Sequence, residues 1–262
     1  MSGNYNGELL ANRPLKSGYF QADFNVPEIA RDARAGQFVH VRIDEGSQRI
    51  LRRPFSIHDV TDQGVLSIVY KVVGFGTSQL ADFRPGAVFE LMGPLGNPYT
   101  APDADTVPVL VAGGYGAAAL FLLAKHSRQR PVLLLGARSE SDVILTDKYA
   151  ALGCDVRVST NDGSVGQKGF VTELLPPLMK ELADRKVKIY ACGPHPMLMA
   201  LARQMTDAGY DGELSVDHVM CCGVGACFAC VVKVKADNAE GWEYARSCKV
   251  GPVFDVKKVY IE

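Results

Sequence analysis

The spacing of the cysteines near the C-terminal end constrains this chain more than any other feature. Five of its seven cysteines lie between residues 221 and 262, and four of them follow the pattern Cys222-x4-Cys227-x2-Cys230-x17-Cys248. This is the plant-type spacing that places four thiolates around a [2Fe–2S] cluster. Glycines and small residues between the first three cysteines let the backbone turn tightly and direct N–H groups at the sulfurs. The spacing therefore predicts a carrier of single electrons.

Other uses of these cysteines are open at the level of the sequence. A structural zinc site usually shows two close cysteine pairs, or a cysteine pair with a histidine pair, whereas this segment has one close pair. Disulfides need an oxidising compartment, and the first residues do not resemble a secretory signal. We interpret Cys221 as a spare thiol, because adjacent residues rarely both bind one cluster. The default for Cys154 and Cys192 is a small buried hydrophobe.

Composition argues against several classes of protein. The 262 residues suffice for two domains and a small third, and the 47% of hydrophobic residues supply their cores. The 28 basic and 29 acidic residues nearly balance, so charge gives no reason to expect a nucleic acid or an anionic membrane as a partner. No apolar run approaches the ~20 residues of a membrane-spanning helix. We expect a soluble, cytoplasmic protein.

Residues 1–102 show the pattern of a small antiparallel β-barrel. The stretches 36–43 and 65–73 alternate or run apolar, and turn residues such as those at 62–64 lie between them. Several short strands at this spacing are typical of a barrel. His40 falls in one of these strands, where we expect a histidine satisfied within the barrel rather than a ligand.

Residues 103–212 alternate strands with helices, which indicates a parallel sheet. An apolar strand at 107–112 is followed by glycines and by a helix that reaches Lys125. Further strands are predicted at 131–136, 154–159 and 187–192, and further helices at 147–152, 171–184 and from Pro196 onward.

Residues 213–262 form the predicted cluster domain. Besides the cysteines, this segment contains short apolar stretches at 231–234 and 253–260, which predict strands. A domain this small has little core of its own, so a bound cluster would help to hold it together.

Two segments of the predicted barrel could hold a flavin nucleotide. Arg53 and Ser56, in the run 52–56, could present a guanidinium to a pyrophosphate and a hydroxyl to a flavin ring, although a solvated loop explains the run equally well. The glycines of the turn 74–77 could let backbone amides approach a phosphate closely. An ordinary hairpin turn explains that segment too.

Glycines directly after the strand at 107–112 predict a dinucleotide site, although a glycine-rich turn can also serve packing alone. Gly113, Gly114 and Gly116 stand between a strand and a helix, the context in which a pyrophosphate lies at a helix N-terminus. No acidic residue follows the next strand, where Arg138 stands instead. The choice between NADH and NADPH therefore stays open.

A second turn at the carboxyl edge of the predicted sheet contains Cys192, Gly193 and Pro194. Ligands bind at this edge in parallel-sheet domains. Cys192 and Gly193 could therefore line a nicotinamide pocket while Pro194 holds the turn open. We interpret His195 as a loop residue rather than an acid or base. No Ser/His/Asp arrangement or pair of carboxylates stands out, which argues against hydrolysis.

These motifs together resemble the ferredoxin–NADP⁺ reductase-type flavoproteins, and within them the electron-transfer subunits of the class 1B dihydroorotate dehydrogenases. The resemblance covers nearly the whole chain, and a four-cysteine loop after a reductase core is its specific part. It implies an antiparallel six-stranded FAD-binding β-barrel, a parallel-sheet NAD-binding domain and a small C-terminal [2Fe–2S] domain. The segment 93–97 would link the barrel to the nucleotide domain.

The resemblance also assigns cofactor contacts to residues of this chain. The implied FAD contacts are Arg53, Pro54, Phe55, Ser56, Val69, Tyr70, Lys71, Gly76 and Thr77. The implied NAD(H) contacts are Gly113, Gly114, Gly116, Cys192, Gly193 and Pro194. The implied cluster ligands are Cys222, Cys227, Cys230 and Cys248. Hydride transfer between two cofactors requires no acid or base from the protein, so Ser56 and Cys192 are expected to orient rings.

A partner subunit is implied as well. Oxidation of dihydroorotate to orotate, in pyrimidine biosynthesis, would need a second flavin site in a barrel of ~250 residues, for which this chain has no room. The resemblance implies a separate FMN-containing catalytic subunit, in a heterotetramer with two copies of each chain. The alternatives are a diaphorase subunit of a bifurcating transhydrogenase, of a cytoplasmic hydrogenase or of another FMN dehydrogenase, and a non-redox module whose cysteines hold zinc.

Overall fold

The computed structural model describes residues 3–43, 51–216 and 219–261. Its first part is a barrel with the strands β1 (Gly3–Pro14), β2 (Tyr19–Asn25), β3 (Phe38–Arg42), β4 (Arg53–Val60), β5 (Val65–Lys71) and β6 (Val88–Leu95), and with the short helices α1 (Pro27–Ala30) and α2 (Phe75–Asp82). The strands close in the order β1-β2-β5-β4-β3-β6, and neighbours run antiparallel. The predicted six-stranded antiparallel barrel is confirmed.

Alternating side chains along the strands separate the barrel core from its outer face. In β3, Val39 and Val41 belong to the interior core, whereas Phe38 and His40 lie on the outer face. These two outer residues are nevertheless only 3% and 0% exposed. Another part of the chain therefore covers this side of β3, and it is the segment that contains the cysteines.

The second part of the chain is a seven-stranded sheet. Its strands are β7 (Val107–Gly113), β8 (Val132–Ala137), β9 (Asp155–Thr160), β10 (Gln167–Lys168), β11 (Val187–Cys192), β12 (Gly212–Ser215) and β15 (Val253–Asp255). Between β12 and β15 the chain forms a separate hairpin of β13 (Val231–Lys235) and β14 (Trp242–Arg246). Their order is β10-β9-β8-β7-β11-β12-β15. β15 runs antiparallel to β12 and the other neighbours are parallel, so the predicted parallel-sheet domain is confirmed.

Helices cover both faces of this sheet. They are α3 (Gly116–Lys125), α4 (Thr146–Ala151), α5 (Leu175–Glu181) and α6 (His195–Ala208). The central strand β7 is buried throughout, with Val109 and Val111 packed on the side of α5 and α6, and Leu110 and Ala112 on the side of α3. Burial on both faces explains why this strand is an unbroken apolar run in the sequence.

The predicted boundaries of α4, α5 and α6 differ from those observed, at α4 by one residue only. The helix predicted at 171–184 begins as a 3-10 turn, Val171–Leu174, and α5 ends at Glu181. Prolines occupy the first turn of α5, where their missing N–H groups cost nothing. His195, predicted to be a loop residue, is instead the first residue of α6. Within the described ranges, no helix combines the length and apolarity needed to cross a membrane.

The C-terminal segment differs from the prediction at its end. The strand predicted at 253–260 stops at Asp255, whose carboxylate accepts a hydrogen bond from the Lys257 N–H (2.8 Å) and caps a 3-10 helix at Val256–Lys258. β15 pairs with β12 rather than with the hairpin, so the predicted cluster domain, 213–262, contributes β15 and most of β12 to the neighbouring sheet. The residue boundaries of the three domains stay predictions.

The segment predicted as a linker, 93–97, connects the barrel to the cluster segment as well. Its first three residues end strand β6. Asn97 then holds α7 (Ser247–Val250), because its N–H donates to the Gly251 carbonyl (2.5 Å) and its side-chain amide to the carbonyl of Val250 (2.8 Å). These contacts join residues that are more than 150 positions apart, as the separation of 153 for the side-chain bond shows.

Candidate functional site

The cysteine loop, residues 221–230, turns tightly before β13. Gly223 and Gly225 adopt positive φ angles of +70° and +83°, which favour glycine. A side-chain carbon on Gly223 would also lie 2.9 Å from the ring of His40, so this position lacks space for one. Arg246 of β14 donates to the Gly225 carbonyl (2.7 Å) and fixes the loop to the hairpin.

The predicted cluster ligands form two pairs of thiols. Cys222 lies beside Cys227, and Cys248 lies beside Cys230, while Cys221 also lies beside Cys227. Cys227 is exposed, whereas Cys230 and Cys248 are only 2% and 3% exposed. Within the described part of the chain, no three His, Cys, Asp or Glu side chains converge on a point that would hold a single ion. Four thiols in two neighbouring pairs fit the ligand set of a [2Fe–2S] cluster.

Backbone N–H groups favour the thiolate form of Cys222. The Ala226 nitrogen lies 3.3 Å from the Cys222 sulfur. Burial raises the pKa of Cys222, but hydrogen bonds from the backbone of Val224, Cys227 and Ala226 outweigh it and lower this pKa to about 6. Because the thiolate is the form that binds iron, this loop geometry fits a cluster ligand.

The neighbouring Cys221 has the opposite tendency. Burial and the adjacent Cys227 and Cys222 raise the pKa of Cys221. Burial and the neighbouring Cys230 raise the pKa of the predicted ligand Cys248 as well, to about 12, so a raised thiol pKa does not by itself separate Cys221 from the ligands. Ligation by Cys222 rather than Cys221 stays a prediction. Cys154 is buried, as predicted, and its burial raises its pKa to about 11.

The buried thiol pair rests on the wall of the barrel. Cys230 and Cys248 pack with Met220, with Phe38 of β3 and with Leu95 of β6 in one apolar cluster. Because Phe38 lies on the outer face of its strand, the cysteine segment covers the barrel from outside. One side of the four-cysteine site therefore faces the barrel, and the exposed Cys227 faces solvent.

Arg53 lies against the first turn of α2. A side-chain carbon on Gly76 would come within 2.9 Å of Arg53 Nε. Glycine at this position therefore leaves room for the guanidinium against the helix. The Thr77 hydroxyl donates to the Gly74 carbonyl (3.0 Å) and accepts from the Val73 N–H (2.9 Å). The hairpin-turn alternative for this segment is wrong, because it opens α2. A guanidinium beside a helix N-terminus fits a flavin pyrophosphate.

The other residues of the predicted flavin run lie on the same strand, β4. Pro54 and Ser56 stand opposite His40 and Phe38 of β3, and directly paired residues share a face of the sheet. Phe55 instead packs into the barrel core. Neighbouring strands are ~4.8 Å apart. A flavin on the outer face of β4 would therefore lie one strand away from the cysteine loop.

The side chains of two predicted FAD contacts, Tyr70 and Val69, contact other residues of the barrel. The Tyr70 hydroxyl donates to Asn12 (3.0 Å), its ring stacks on Phe20 with centroids 5.6 Å apart, and burial raises its pKa to about 12. Val69 packs in a small apolar cluster with Tyr19. These side chains support the barrel, and flavin contact by this segment stays a prediction.

Lys71, another predicted FAD contact, connects the barrel to the sheet domain. Its ammonium lies 2.6 Å from the carboxylate of Asp142, which follows β8. The Tyr19 hydroxyl donates to the same carboxylate oxygen (3.1 Å), and the ammonium lies 4.7 Å from the centre of the Tyr19 ring. The three side chains form a polar contact between the two domains.

Asp142→Asn tests this polar contact between the domains. The hydrogen bond from Lys71 lowers the pKa of Asp142, against a smaller opposing effect of burial. Because the folded-state pKa lies below the unfolded one, the stabilisation is present at neutral pH and is lost as the pH falls through the folded pKa. We expect the variant to lose about 0.5–1 kcal/mol of unfolding free energy at pH 7 and nothing at strongly acid pH.

Denaturant unfolding at both pH values measures the effect of Asp142→Asn. Asp184→Asn, at an exposed position of the same domain, is the matched control. An equal loss for Asp142→Asn at neutral and strongly acid pH would contradict the ion pair.

The predicted nucleotide-binding turns pack backbone against backbone. They follow the neighbouring strands β7 and β11, where Ala112 stands beside Cys192. A side-chain carbon on Gly116 would lie 2.1 Å from the Cys192 carbonyl oxygen, and one on Gly113 would lie 2.5 Å from Pro194 Cδ. Glycine at both positions is therefore what allows the two turns to meet.

The remaining glycines of these turns differ in the space around them. A side-chain carbon on Gly193 would lie 2.9 Å from the Gly113 nitrogen, so Gly193 is packed against the other turn. Gly114 has a φ of +54°, and the nearest atom to a side-chain carbon there is the Tyr19 hydroxyl at 3.8 Å. The open space at Gly114, two residues before the start of α3, fits the pyrophosphate of a dinucleotide.

Similarity to known proteins decides the family. Residues 217–260 match the iron–sulfur cluster binding domain of dihydroorotate dehydrogenase B. The electron transfer subunit of dihydroorotate dehydrogenase B (NAD(+)) from Fusobacterium nucleatum is 40% identical over 234 residues, 87% of each chain. The one from Desulforamulus reducens is 37% identical over 260 residues, 97% of each chain. The chain belongs to the family of dihydroorotate dehydrogenase B electron transfer subunits.

Solved structures agree with this electron transfer subunit in fold. The structure of an NADH-dependent reduced ferredoxin–NADP oxidoreductase, described for flavin-based electron bifurcation, matches with a TM-score of 0.84 at 28% identity, over 100% of this chain and 92% of that one. A ferredoxin reductase of carbazole 1,9a-dioxygenase matches with a TM-score of 0.67 at 19% identity, over 80% of this chain and 67% of that one. The reductase-type fold is confirmed.

Several residues that organise the site of this electron transfer subunit were missed from the sequence. Asp142 meets Lys71 across 71 positions, and Asn97 meets Val250 across 153. The sequence predicts Phe38 only as part of a strand, yet its side chain packs against the buried thiols Cys230 and Cys248. No local pattern marks such residues, because their partners are distant in the chain.

Proposed function

We propose that the chain passes electrons between an FMN-containing catalytic subunit, which oxidises dihydroorotate to orotate, and NAD. The observation that carries the proposal is the contact of the buried thiols Cys230 and Cys248 with the outer wall of the barrel. It brings the four-cysteine site to one strand's distance from the predicted flavin segment on β4. Membership of the dihydroorotate dehydrogenase B family supports the substrate and the partner.

The chain's own residues bind and orient the cofactors. When bound, FAD exchanges a hydride with the nicotinamide and single electrons with the [2Fe–2S] cluster. Arg53 and the first turn of α2 hold the flavin pyrophosphate, and the turn at 113–116 holds that of NAD(H). Ser56 and Cys192 orient the rings. We assign no acid or base role to any side chain.

Arg53→Ala is expected to weaken FAD binding. Hydrogen bonds to a charged group contribute about 1.5–3 kcal/mol, so the dissociation constant of FAD should rise about 10- to 100-fold. Arg52→Ala is the matched control, because Arg52 donates to the Glu90 carbonyl (3.0 Å) and not to the α2 turn. Flavin fluorescence during titration of the apoprotein measures both constants. Equal FAD affinity in Arg53→Ala and wild type would remove Arg53 from the flavin site.

We propose that the partner subunit binds to the solvent-exposed side of the cysteine loop. Cys227 is exposed there, and so are the apolar side chains of Val224 (49%), Phe228 (62%) and Val250 (48%). Exposed apolar groups of this kind are typical of protein–protein contacts. We place the FMN-containing subunit on this side, in a cytoplasmic heterotetramer of two copies of each chain.

A second candidate function has one observation in its favour. The structural match with the oxidoreductase described for flavin-based electron bifurcation has a TM-score of 0.84 and covers this whole chain. The chain would then be the diaphorase subunit of a bifurcating complex. The cofactors would be the same, and only the partner would differ.

Co-purification from the native host tests the proposal. The protein is isolated with its associated proteins retained, its iron and flavin are quantified, and the associated subunit is identified by mass spectrometry. We expect flavin bands, two irons per chain as a [2Fe–2S] cluster requires, and an FMN dehydrogenase subunit. Zinc in place of iron would contradict the redox function, and a transhydrogenase or hydrogenase subunit would contradict the dihydroorotate partner.

A further inference from the structure

His40 is a buried histidine without hydrogen-bond partners. None of its surface is exposed, and within the described ranges neither Nδ1 nor Nε2 has a partner. The expectation of a histidine satisfied within the barrel is therefore wrong, because the ring lies on the outer face of β3 rather than in the barrel's own polar network. An unpaired buried polar group costs about 1–3 kcal/mol. Such a ring is suited to a partner that is not a protein side chain.

The ring of His40 faces the cysteine loop. A side-chain carbon on Gly223 would lie 2.9 Å from Nε2, 3.0 Å from Cε1 and 3.1 Å from Cδ2 of the ring. The edge of the imidazole that bears Nε2 is therefore against the residue that follows Cys222. Phe38 lies on the same face of β3, 5.6 Å from the His40 ring, and packs against Cys230 and Cys248.

His40 is a neutral hydrogen-bond donor at physiological pH. Burial lowers the pKa of His40 to about 4, and the positive charge of Arg52 adds to this effect. A neutral imidazole carries one N–H and can donate it without bringing a positive charge into the buried layer. Its opposite neighbour on β4 is Pro54, a residue of the predicted flavin segment. His40 thus stands between the strand that carries this segment and the cysteine loop.

We propose that His40 donates its ring N–H to a sulfur of the [2Fe–2S] group held by the cysteine loop, and so positions the loop on the barrel and raises the reduction potential of the cluster. The inference rests on the proposed function, since it requires the cluster in this loop. Hydrogen bonds to cluster sulfurs are one of the terms that set the potential. A donor stabilises the more negative reduced cluster, so losing it should favour the oxidised form.

The first test compares reduction potentials of variants of the full chain. His40→Phe keeps a ring but has no N–H, and we expect its equilibrium to shift about tenfold toward the oxidised cluster, which is 59 mV for a one-electron couple. His40→Gln keeps a donor and should restore part of the shift. His58→Phe is the matched control, because His58 is equally buried but meets the Ala118 carbonyl (3.1 Å) and Phe121 on the side of α3. Equal potentials in wild type and His40→Phe would overturn the inference.

The second test measures the wild-type protein directly and uses one variant as a control. Pulsed EPR of the reduced protein, with histidine labelled by the heavy nitrogen isotope, should show a nitrogen coupled to the cluster. Replacing His218, four positions before Cys222 in the sequence, by asparagine should leave this coupling in place. A cluster without a histidine coupling would overturn the role of His40 and leave the proposed function intact. A coupling that disappears in His218→Asn would have the same consequence. A protein without iron would overturn both the role of His40 and the proposed function.

Discussion

Cys248→Ser is expected to abolish electron transfer to the partner while NADH still reduces the flavin. Cys248 is 3% exposed and belongs to the thiol pair on the barrel wall, far in the chain from the nucleotide turns. Loss of a residue that only supports a ligand already costs ~10–100-fold in metal affinity or activity, so loss of the ligand itself should cost more. We expect no cluster EPR signal and at least a hundredfold lower partner-linked activity.

Two controls show whether the effect of Cys248→Ser is confined to the cluster. NADH-dependent reduction of an artificial acceptor should stay close to the wild-type rate, because the proposed FAD and NAD sites lie outside the cysteine segment. Cys221→Ser should keep the cluster, since Cys221 is interpreted as the spare thiol. If Cys248→Ser also lost flavin reduction, the separation of the two sites would be wrong. If Cys221→Ser lost the cluster, Cys221 would replace Cys222 among the ligands.

Gly116→Ala is expected to impair the use of NADH severely. The added carbon would lie 2.1 Å from the Cys192 carbonyl oxygen, a backbone atom that cannot rotate away. Overpacking costs about 1–3 kcal/mol. The two nucleotide turns must move apart by about an ångström to relieve the contact, and a misplacement of this size can cost ~100-fold in rate. We expect a loss of that order in kcat/KM for NADH.

The matched control for Gly116→Ala is Gly209→Ala. Gly209 has a φ of +69° and open space around it, so alanine there costs about 1 kcal/mol through backbone conformation alone. It should lower the unfolding temperature without changing the kinetics with NADH. Steady-state rates with an artificial acceptor, together with thermal unfolding of both variants, separate the two effects. Unchanged NADH kinetics in Gly116→Ala would show that the contact between the turns does not shape the nucleotide site.

The fold follows from the sequence where local patterns match the final environment of the strands. The apolar run of β7 reflects burial on both faces, and the alternation in β3 reflects a barrel wall. The strand predicted at 253–260 shows the limit. Its apolar residues do pack, but Asp255 caps a 3-10 helix, and β15 joins a sheet whose next strand ends near residue 215. The sequence contains no local signal for that pairing.

The candidate site was predictable in its chemistry but not in its assembly. The cysteine spacing and the glycine turns carry their meaning locally, because loops around thiolates and phosphates need glycine at particular positions. That Gly116 touches Cys192 and that Gly223 touches His40 depends on contacts between distant segments. The sequence therefore predicts which groups bind, and the structure places the cysteine loop beside the strand next to the predicted flavin segment.

The most direct test of the account is dihydroorotate-dependent formation of NADH by the complex of this chain with its partner subunit. The native complex and one reassembled with Cys248→Ser are supplied with dihydroorotate and NAD⁺, and NADH is followed by its absorbance. We expect NADH formation by the native complex and none by the variant complex, although both still oxidise NADH with an artificial acceptor. A native complex with its full content of iron and flavin that forms no NADH from dihydroorotate would contradict the proposed function.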